Sequence, residues 1–229
     1  MRATTDFDEA CAAADRAGLA LQETENGLTL SDGQIELNGD FSQLVPRIKS
    51  GCFGQEQLVK AVRVKGHGGV LKVVDATAGL GEDSLILAAA GFDVTLFERD
   101  IVIASLLADT LQRAADDDIL GPIVARMHLR CQDSIEGLRQ LDFEPDVVLL
   151  DPMFPSKQKN AKTKKKLQLF QKLESPCTDE TELLSAALDA NPRKVVVKRP
   201  LKGPCLAGKK PSYSLEGKTI RYDCHVLPR

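Results

Sequence analysis

Short apolar segments alternate with amphipathic segments from residue 71 onwards, and this alternation constrains the fold more than any other feature of the sequence. The apolar segments predict β-strands, and the segments between them predict helices. Strands that alternate with helices form a mostly parallel sheet covered on both faces, so we predict an α/β fold. The predicted strands are 71–75, 93–98, 126–133, 145–151, 193–200 and 217–228, and the predicted helices are 82–91, 100–115, 134–141 and 178–191.

Residues 1–53 lack the alternation of strands and helices and predict a small α+β subdomain, which precedes a main domain that spans residues 54–229. A helix-like stretch at 6–18 is followed by short strand-like pieces that Asn-Gly and Asp-Gly dipeptides separate. Such dipeptides are typical of tight hairpin turns, so we expect a small antiparallel sheet. Residues 54–66 predict a further helix at the start of the main domain.

The charges of the chain are distributed unevenly, although its formal net charge is only -3. Residues 151–229 contain 17 Lys and Arg against 8 Asp and Glu, a net charge of +9. Residues 1–150 contain 13 against 25, a net charge of -12. A basic C-terminal third in an acidic protein predicts a polyanionic partner.

The composition also excludes several classes of protein. The apolar runs are too short to span a membrane, and the acidic N-terminus lacks the basic-then-apolar order of a secretion signal, so we expect a soluble cytoplasmic protein. The six cysteines form no Cys-x-x-Cys pair, and the three histidines show no metal-ligand spacing. We therefore expect reduced thiols and no metal site.

Acidic residues mark the ends of the predicted strands. In open α/β sheets, ligands bind beyond the carboxyl ends of the strands. Four successive predicted strands end in this chain on an acid, at Asp75, Glu98, Asp133 and Asp151. The sequence therefore predicts a binding site at that edge of the sheet.

The segment "ATAGLGED", which follows Asp75, resembles a nucleotide-binding loop. Gly79 and Gly81 allow the backbone to approach a ligand closely, and a predicted helix begins directly after them. Glu98 ends the next strand, 17 residues after Gly81, where an acid that binds ribose hydroxyls is expected. These features predict a bound nucleoside.

The residues around this loop favour S-adenosylmethionine (SAM) over a dinucleotide. Ser84 occupies the position where the dinucleotide fingerprint has its third glycine. The carboxylates of Asp75, Glu82 and Asp83 lie where a pyrophosphate would bind, and like charges repel. SAM combines adenosine with an amino group and a positive sulfur and has no phosphate, so it suits this set of residues.

The segment "DPMFP", residues 151–155, ends a strand on a carboxylate and continues with a stiff turn. Pro152 fixes φ and removes a backbone donor, and Pro155 favours an extended conformation for Phe154. Such a turn suits a planar base with an exocyclic amine, because Asp151 can accept the hydrogens of the amine while Phe154 stacks on the ring. The candidate catalytic residues are therefore Asp151, Pro152 and Phe154.

Four segments together resemble the ribosomal RNA small subunit methyltransferase J family: "VVDATAGLGED", "LFERD", "VVLLDPMFPSKQK" and "KVVVKRP". The resemblance covers about residues 44–200. It implies a Rossmann-like class I SAM-dependent methyltransferase fold with a seven-stranded, mostly parallel sheet, and methylation of the N2 amine of a guanine in 16S rRNA. By this resemblance the cofactor site would be lined by Glu82, Asp83, Glu98, Arg99, Asp133, Ser134 and Asp151.

A lysine-rich segment begins directly after the "DPMFP" turn. Its position predicts contacts with a phosphate backbone near the target base. Two basic residues at the end of the following strand would flank it. The candidate RNA-binding residues are Lys157, Lys159, Lys162, Lys164, Lys165, Lys166, Lys198 and Arg199.

The sequence thus predicts a SAM-dependent methyltransferase that acts on guanine N2 in 16S rRNA or the small ribosomal subunit, with a monomer favoured. Three alternatives remain open at this point. The chain could methylate a small-molecule or protein amine, it could be an NAD-dependent oxidoreductase, or it could bind RNA without catalysis.

Overall fold

A computed structural model describes residues 6–49, 51, 55–152, 168–169, 172–173 and 179–228 of the chain. In this part of the chain, the N-terminal strands form a three-stranded antiparallel sheet in the order β1-β2-β3. The strands are β1 (Ala20–Thr24), β2 (Gly27–Ser31) and β3 (Glu36–Asn38). The small sheet that the hairpin dipeptides predict is therefore present.

The main sheet has seven strands within the described residues, in the order β6-β5-β4-β7-β8-β10-β9. Pairs β6-β5, β5-β4, β4-β7 and β7-β8 are parallel, whereas β10 is antiparallel to β8 and β9. This topology confirms the predicted fold class. The strands are β4 (Lys72–Asp75), β5 (Asp93–Glu98), β6 (Met127–Cys131), β7 (Val147–Leu150), β8 (Lys194–Pro200), β9 (Tyr213–Glu216) and β10 (Ile220–Val226).

Eight α-helices are numbered here in chain order for the described residues. They are α1 (Phe7–Arg16), α2 (Val45–Lys49), α3 (Gln57–Val62), α4 (Glu82–Ala89), α5 (Ile101–Ala115), α6 (Gly121–Val124), α7 (Ser134–Arg139) and α8 (Glu180–Asp189). None of these described helices is both long and apolar enough to cross a bilayer.

Several element boundaries differ from the sequence-based expectation. The helix predicted over 54–66 is shorter, because the backbone of Arg63 is already extended at ψ 134°. The strand predicted over 126–133 ends at Cys131, and Asp133 instead caps helix α7. Helix α6 escaped prediction because it is a single turn that begins with Gly-Pro, and strand β9 because its mostly exposed residues lack the apolar run that marks β4 and β7 at the same length.

Alternating residues of the central strands pack on opposite faces of the main sheet. Val73 and Leu149 belong to the core that α3 and α4 cover, whereas Val74 and Val148 belong to the core that α7 and α8 cover. Side chains of a strand point to its two faces in turn, so a strand covered on both faces must be apolar throughout. This requirement explains the uninterrupted "VVLL" run of β7, which is buried along its whole length.

The N-terminal elements share a third core with the main unit. Helix α1 and the small sheet pack against helix α5. Leu80, which stands between Gly79 and Gly81, belongs to that core and is 8% exposed. The predicted cofactor loop therefore contributes one side chain to the core that the N-terminal elements share with α5.

Candidate active site at the carboxyl edge of the sheet

The loops after β4 and β7 meet at the carboxyl edge of the main sheet. The chain proceeds outward from β4 through β5 to β6 and then returns to form β7 on the other side of β4. Such a switch point is where open α/β sheets bind ligands. Ala76 N donates to Leu149 O at 3.0 Å, and Asp151 N donates to Thr77 Oγ1 at 2.7 Å, so the two loops are joined directly.

Asp75 lies beneath the glycine loop and is 2% exposed. Its carboxylate accepts hydrogen bonds from Ser84 Oγ at 2.6 Å and Thr77 N at 3.1 Å. Burial raises the pKa of Asp75 to about 6, although these two hydrogen bonds favour the ionised form. Asp75 thus holds the start of α4 against the end of β4, and its burial indicates a role in shaping the loop.

Gly79 and Gly81 both have positive φ, 54° and 77°, but their surroundings differ. A Cβ added at Gly81 would lie 2.8 Å from Leu107 Cδ1, whereas a Cβ added at Gly79 would meet no atom of the described residues within 4 Å. Gly81 therefore faces the protein interior and Gly79 faces open space. This open side of the loop, directly ahead of the N-terminus of α4, fits the close approach of a ligand.

Glu98 is buried at the end of β5, with 5% exposure. Its Oε2 accepts a hydrogen bond from Gly79 N at 3.0 Å, and its Oε1 accepts one from Asp100 N at 2.9 Å. The acid that the sequence predicts for ribose binding thus lies against the glycine loop, as that prediction requires. Its contacts among the described residues also fasten the loop to β5.

Arg99, Asp133 and Ser134 lie beyond the ends of β5 and β6. Asp133 Oδ1 accepts hydrogen bonds from Ile135 N at 2.8 Å and Glu136 N at 3.4 Å, which makes it the N-cap of α7. Arg99 Nη1 lies 4.0 Å from Asp133 Oδ2, and both side chains remain partly exposed. The structure therefore brings Arg99 and Asp133 together next to Glu98, with Ser134 as the first residue of α7.

The first two residues of α4 have different environments. Glu82 is exposed at the start of the helix, whereas Asp83 is half-buried. Asp83 Oδ2 lies 2.6 Å from Lys198 Nζ. Asp83 is thereby linked to strand β8, on the far side of β7.

Asp151 follows β7 and shares the same lysine. Its Oδ2 lies 2.9 Å from Lys198 Nζ, and its side chain is 38% exposed. Burial raises the pKa of Asp151, while the ammonium of Lys198 opposes that rise. Burial alone would lower the pKa of Lys198, but the carboxylates of Asp151 and Asp83 raise it. Pro152 is buried directly after Asp151.

The described residues give a partial picture of the predicted RNA-binding set. Lys198 is bound between two carboxylates, as given above. Arg199 is only 2% exposed, and its Nε donates to Pro204 O at 2.8 Å. A buried guanidinium offers no donor to an RNA backbone, so the prediction for Arg199 needs correction: its place is inside the fold. The other predicted RNA-binding residues, Lys157, Lys159, Lys162, Lys164, Lys165 and Lys166, lie outside the described residues, as does the predicted catalytic residue Phe154.

Two residues of the site were not singled out by sequence reasoning for the contacts they make. Thr77 Oγ1 joins the loops after β4 and β7, and Ser84 Oγ binds Asp75. In the sequence, Ser84 stands out only because the dinucleotide fingerprint has a glycine at its position. The Ser84 hydroxyl is the partner of a buried carboxylate, and buried polar groups need such partners. A serine in place of the third glycine was therefore the only sign in the sequence of this role.

Comparison with known proteins places these features among methyltransferases. Residues 8–227 match the family model described as "Putative SAM-dependent methyltransferase". The ribosomal RNA small subunit methyltransferase J of Pseudomonas fluorescens is 46% identical over 92% of this chain and 84% of its own length. The protein of that name from Marinobacter nauticus is 41% identical over 93% of this chain and 76% of its own.

A solved structure gives the same result for the fold. A SAM-dependent methyltransferase from Neisseria gonorrhoeae superposes with a TM-score of 0.74 at 30% sequence identity, over 97% of this chain and 93% of that chain. The similarity thus extends over the N-terminal elements as well as the main sheet.

Proposed function

Because this chain belongs to the ribosomal RNA small subunit methyltransferase J family of SAM-dependent enzymes, we propose that it methylates the exocyclic N2 amine of a guanine in 16S rRNA. One observation carries the choice of an amine as acceptor. The Asp151 backbone N is bound to the loop after β4 through Thr77 Oγ1 at 2.7 Å, and the Asp151 carboxylate shares Lys198 with Asp83, in the first turn of the helix that follows the glycines. An acceptor for amine hydrogens is thus adjacent to the loop proposed to bind the cofactor.

The residues around the loop fit SAM in their chemistry. The open side of Gly79 allows close approach, and the loop precedes a helix N-terminus. When bound, the cofactor supplies a methyl group attached to a positively charged sulfur. We assign its binding to Gly79, Gly81, Glu82, Asp83, Glu98, Arg99, Asp133, Ser134 and Asp151, with Asp75 shaping the loop from beneath.

The same residues disfavour a dinucleotide. Asp83 and Asp151 lie 2.6 and 2.9 Å from the same Lys198 Nζ, and both are close enough to the buried Asp75 to raise its pKa. Carboxylates at such distances repel a pyrophosphate and tolerate a cationic group. We therefore retain the methyltransferase function and set the oxidoreductase alternative aside.

Asp151 would act on the amine in three ways. The lone pair of an exocyclic amine is delocalised into its ring, so the nitrogen is a poor nucleophile until it is oriented. A carboxylate that accepts an amine hydrogen orients the nitrogen, and a fixed geometry of this kind can be worth several kcal/mol. The carboxylate also stabilises the positive charge that develops on nitrogen and accepts the proton that nitrogen loses. Pro152 restricts the backbone that carries this carboxylate.

The proposed substrate must offer an accessible base. A guanine within a duplex cannot reach a carboxylate at the edge of the sheet, so the base must be unpaired or turned outward. The lysines at 157, 159, 162, 164, 165 and 166 would hold the neighbouring phosphates, and their number supports a polyanionic substrate over a small amine.

The test compares Asp151→Ala with Asp151→Asn. Transfer of labelled methyl groups is measured with 16S rRNA from a strain that lacks this gene, and nucleoside mass spectrometry identifies the product. We expect N2-methylguanosine with the wild type, a loss of about 100-fold or more for Asp151→Ala, and partial activity for Asp151→Asn, whose amide oxygen still accepts a hydrogen bond.

Two controls accompany this comparison. Calorimetric titration with SAM shows whether each variant still binds the cofactor, and thermal unfolding shows whether it is folded. Near-normal transfer by Asp151→Ala would refute the role of Asp151. Methylation at another position of the base, or of no RNA at all, would refute the proposed function.

A further inference from the structure

Lys198 connects two parts of the proposed active site that are distant in sequence. Its Nζ lies 2.6 Å from Asp83 Oδ2 and 2.9 Å from Asp151 Oδ2. Asp83 is in the first turn of α4, directly after the glycine loop, and Asp151 follows β7. One ammonium group thus bridges the proposed cofactor-binding helix and the proposed catalytic turn.

The position of Lys198 on strand β8 makes this bridge rigid. Strand β8 pairs with β7 on one side and β10 on the other, so its backbone is fixed in the middle of the sheet. The Lys198 side chain is only 23% exposed. A lysine that is largely buried between two carboxylates is oriented for an internal role more than for contact with an external phosphate.

Other charged and titratable groups lie around Asp83, Lys198 and Asp151. Asp83, Lys198 and Asp151 together carry one net negative charge when all are ionised. Among the described residues, the other groups that act on them come from β4, α2, β8 and β10, and they are Asp75, Arg47, Arg199 and Tyr222. The nearest positive group to the Asp151 carboxylate among the described contacts is the Lys198 ammonium, at 2.9 Å.

We propose that Lys198 is a positioning residue that keeps the Asp151 carboxylate ionised and aligned with the cofactor-binding helix. This inference rests on the proposed function. A protonated Asp151 would present a hydroxyl to the substrate, and it could not accept the proton released from the amine. The ammonium favours the ionised form, in opposition to the effect of burial on the Asp151 pKa.

The inference predicts opposite effects of two substitutions on the pH profile. Lys198→Met removes the positive neighbour of Asp151, so the acid limb of kcat against pH should move to higher pH. Asp83→Asn removes a negative neighbour that raises the Asp151 pKa, so the acid limb should move to lower pH. General destabilisation of the site would not give shifts of opposite sign.

The experiment measures kcat and KM for 16S rRNA from pH 5.5 to about pH 9 for the wild type and four variants, a range that brackets the tuned carboxylates of enzyme sites. The variants are Lys198→Met, Lys198→Arg, Asp83→Asn and Lys60→Met, of which the last changes an exposed lysine on α3 as a matched control. We expect Lys198→Met to lose about tenfold or more in kcat at neutral pH with little change in KM, and to recover part of that loss at high pH. Lys198→Arg should restore most of the activity, and Lys60→Met should match the wild type.

A change in KM and in the salt dependence of RNA binding, with an unmoved pH profile, would show that Lys198 contacts RNA and would overturn the inference. Shifts of Lys198→Met and Asp83→Asn in the same direction would overturn it as well. If Lys198→Met does not fold, the profile of Asp83→Asn decides, and an unchanged acid limb there refutes the proposal.

Failure of the proposed function is distinguishable from failure of this inference. If the wild type transfers no methyl group to rRNA, the function is wrong, whatever the variants do. The titration of Asp151 can then still be followed by carboxyl NMR in the wild type and in Lys198→Met. An unchanged titration midpoint in that comparison would refute the role of Lys198 independently of activity.

Discussion

Alanine substitution at Gly79 and at Gly81 should separate cofactor binding from stability. The two glycines are two residues apart in one loop, and both have positive φ, so the backbone strain of an alanine is similar at the two positions. Their surroundings differ, because a Cβ at Gly81 meets Leu107 Cδ1 at 2.8 Å and a Cβ at Gly79 meets no atom within 4 Å in the part of the chain that the structure describes.

The expected free energies follow from this geometry. A left-handed backbone conformation costs an alanine about 1–2 kcal/mol, which applies to both variants. Overpacking of a buried side chain costs a further 1–3 kcal/mol or so, and it applies to Gly81→Ala alone, since Leu107 is fully buried. Gly81→Ala should therefore unfold about 1–3 kcal/mol more easily than Gly79→Ala.

Cofactor affinity should show the opposite order. The methyl group of Gly79→Ala enters the space that we assign to SAM, so we expect its Kd to rise by about tenfold or more, which corresponds to about 1.4 kcal/mol. The methyl group of Gly81→Ala points into the protein, so folded Gly81→Ala should bind SAM more tightly than Gly79→Ala.

Urea unfolding and calorimetric titration with SAM measure the two quantities on the same samples. The wild type is the reference, and each variant is the control of the other. Equal stabilities would show that Leu107 relaxes without cost. Wild-type affinity in Gly79→Ala would refute the assignment of the open side of the loop to the cofactor.

Three further predictions follow from single contacts. Asp75→Asn tests the buried carboxyl, whose pKa is about 6 in the folded protein and about 3.9 in the unfolded chain. The folded state therefore binds the proton more tightly, and the unfolding free energy of the wild type should fall by about 2 kcal/mol relative to the variant as the pH rises from about 4 to about 7 in urea titrations. A pH-independent difference would contradict this value. Arg221→Met should destabilise the protein by about 3–5 kcal/mol in denaturant unfolding. The substitution removes the guanidinium that binds the buried carboxylate of Asp223 and the carbonyls of residues 200, 201 and 203. A loss of stability below about 1 kcal/mol would show that water replaces the guanidinium. RNA affinity should fall by about tenfold or more between 50 and 200 mM salt in filter-binding or anisotropy measurements, and a flat response would favour a small-molecule amine as the substrate.

The order of the elements was predictable because it depends on local patterns. The apolar runs of β4, β5, β7 and β8 and the helices between them follow from periods of two and about 3.6 residues. The hairpin dipeptides predicted the small N-terminal sheet in the same way. Helix α6 and strand β9 were not predictable, because a single turn and a mostly exposed strand lack the apolar run that marks β4 and β7. The end of β6 at Cys131 was not predictable either, because it depends on neighbours in space.

The types of residue at the site were also predictable, but their partners were not. Acids at Asp75, Glu98 and Asp151 were expected at the carboxyl edge because parallel strands end together there. Arg199 was predicted to bind RNA, but the structure buries its side chain, and its Nε donates to the carbonyl of Pro204.

The sequence alone determined which residues end the strands, which loop can approach a ligand, and which fold class the alternation of strands and helices requires, because each of these depends on residues close together in the chain. Only the tertiary structure decided that Leu80 anchors the glycine loop in the N-terminal core and that Lys198 joins Asp83 to Asp151. Lys198 and Asp83 are 115 residues apart, and no local period or spacing records a contact across that separation. Such contacts depend on the spatial order of the strands in the sheet, in which β8 lies beside β7 and β7 beside β4.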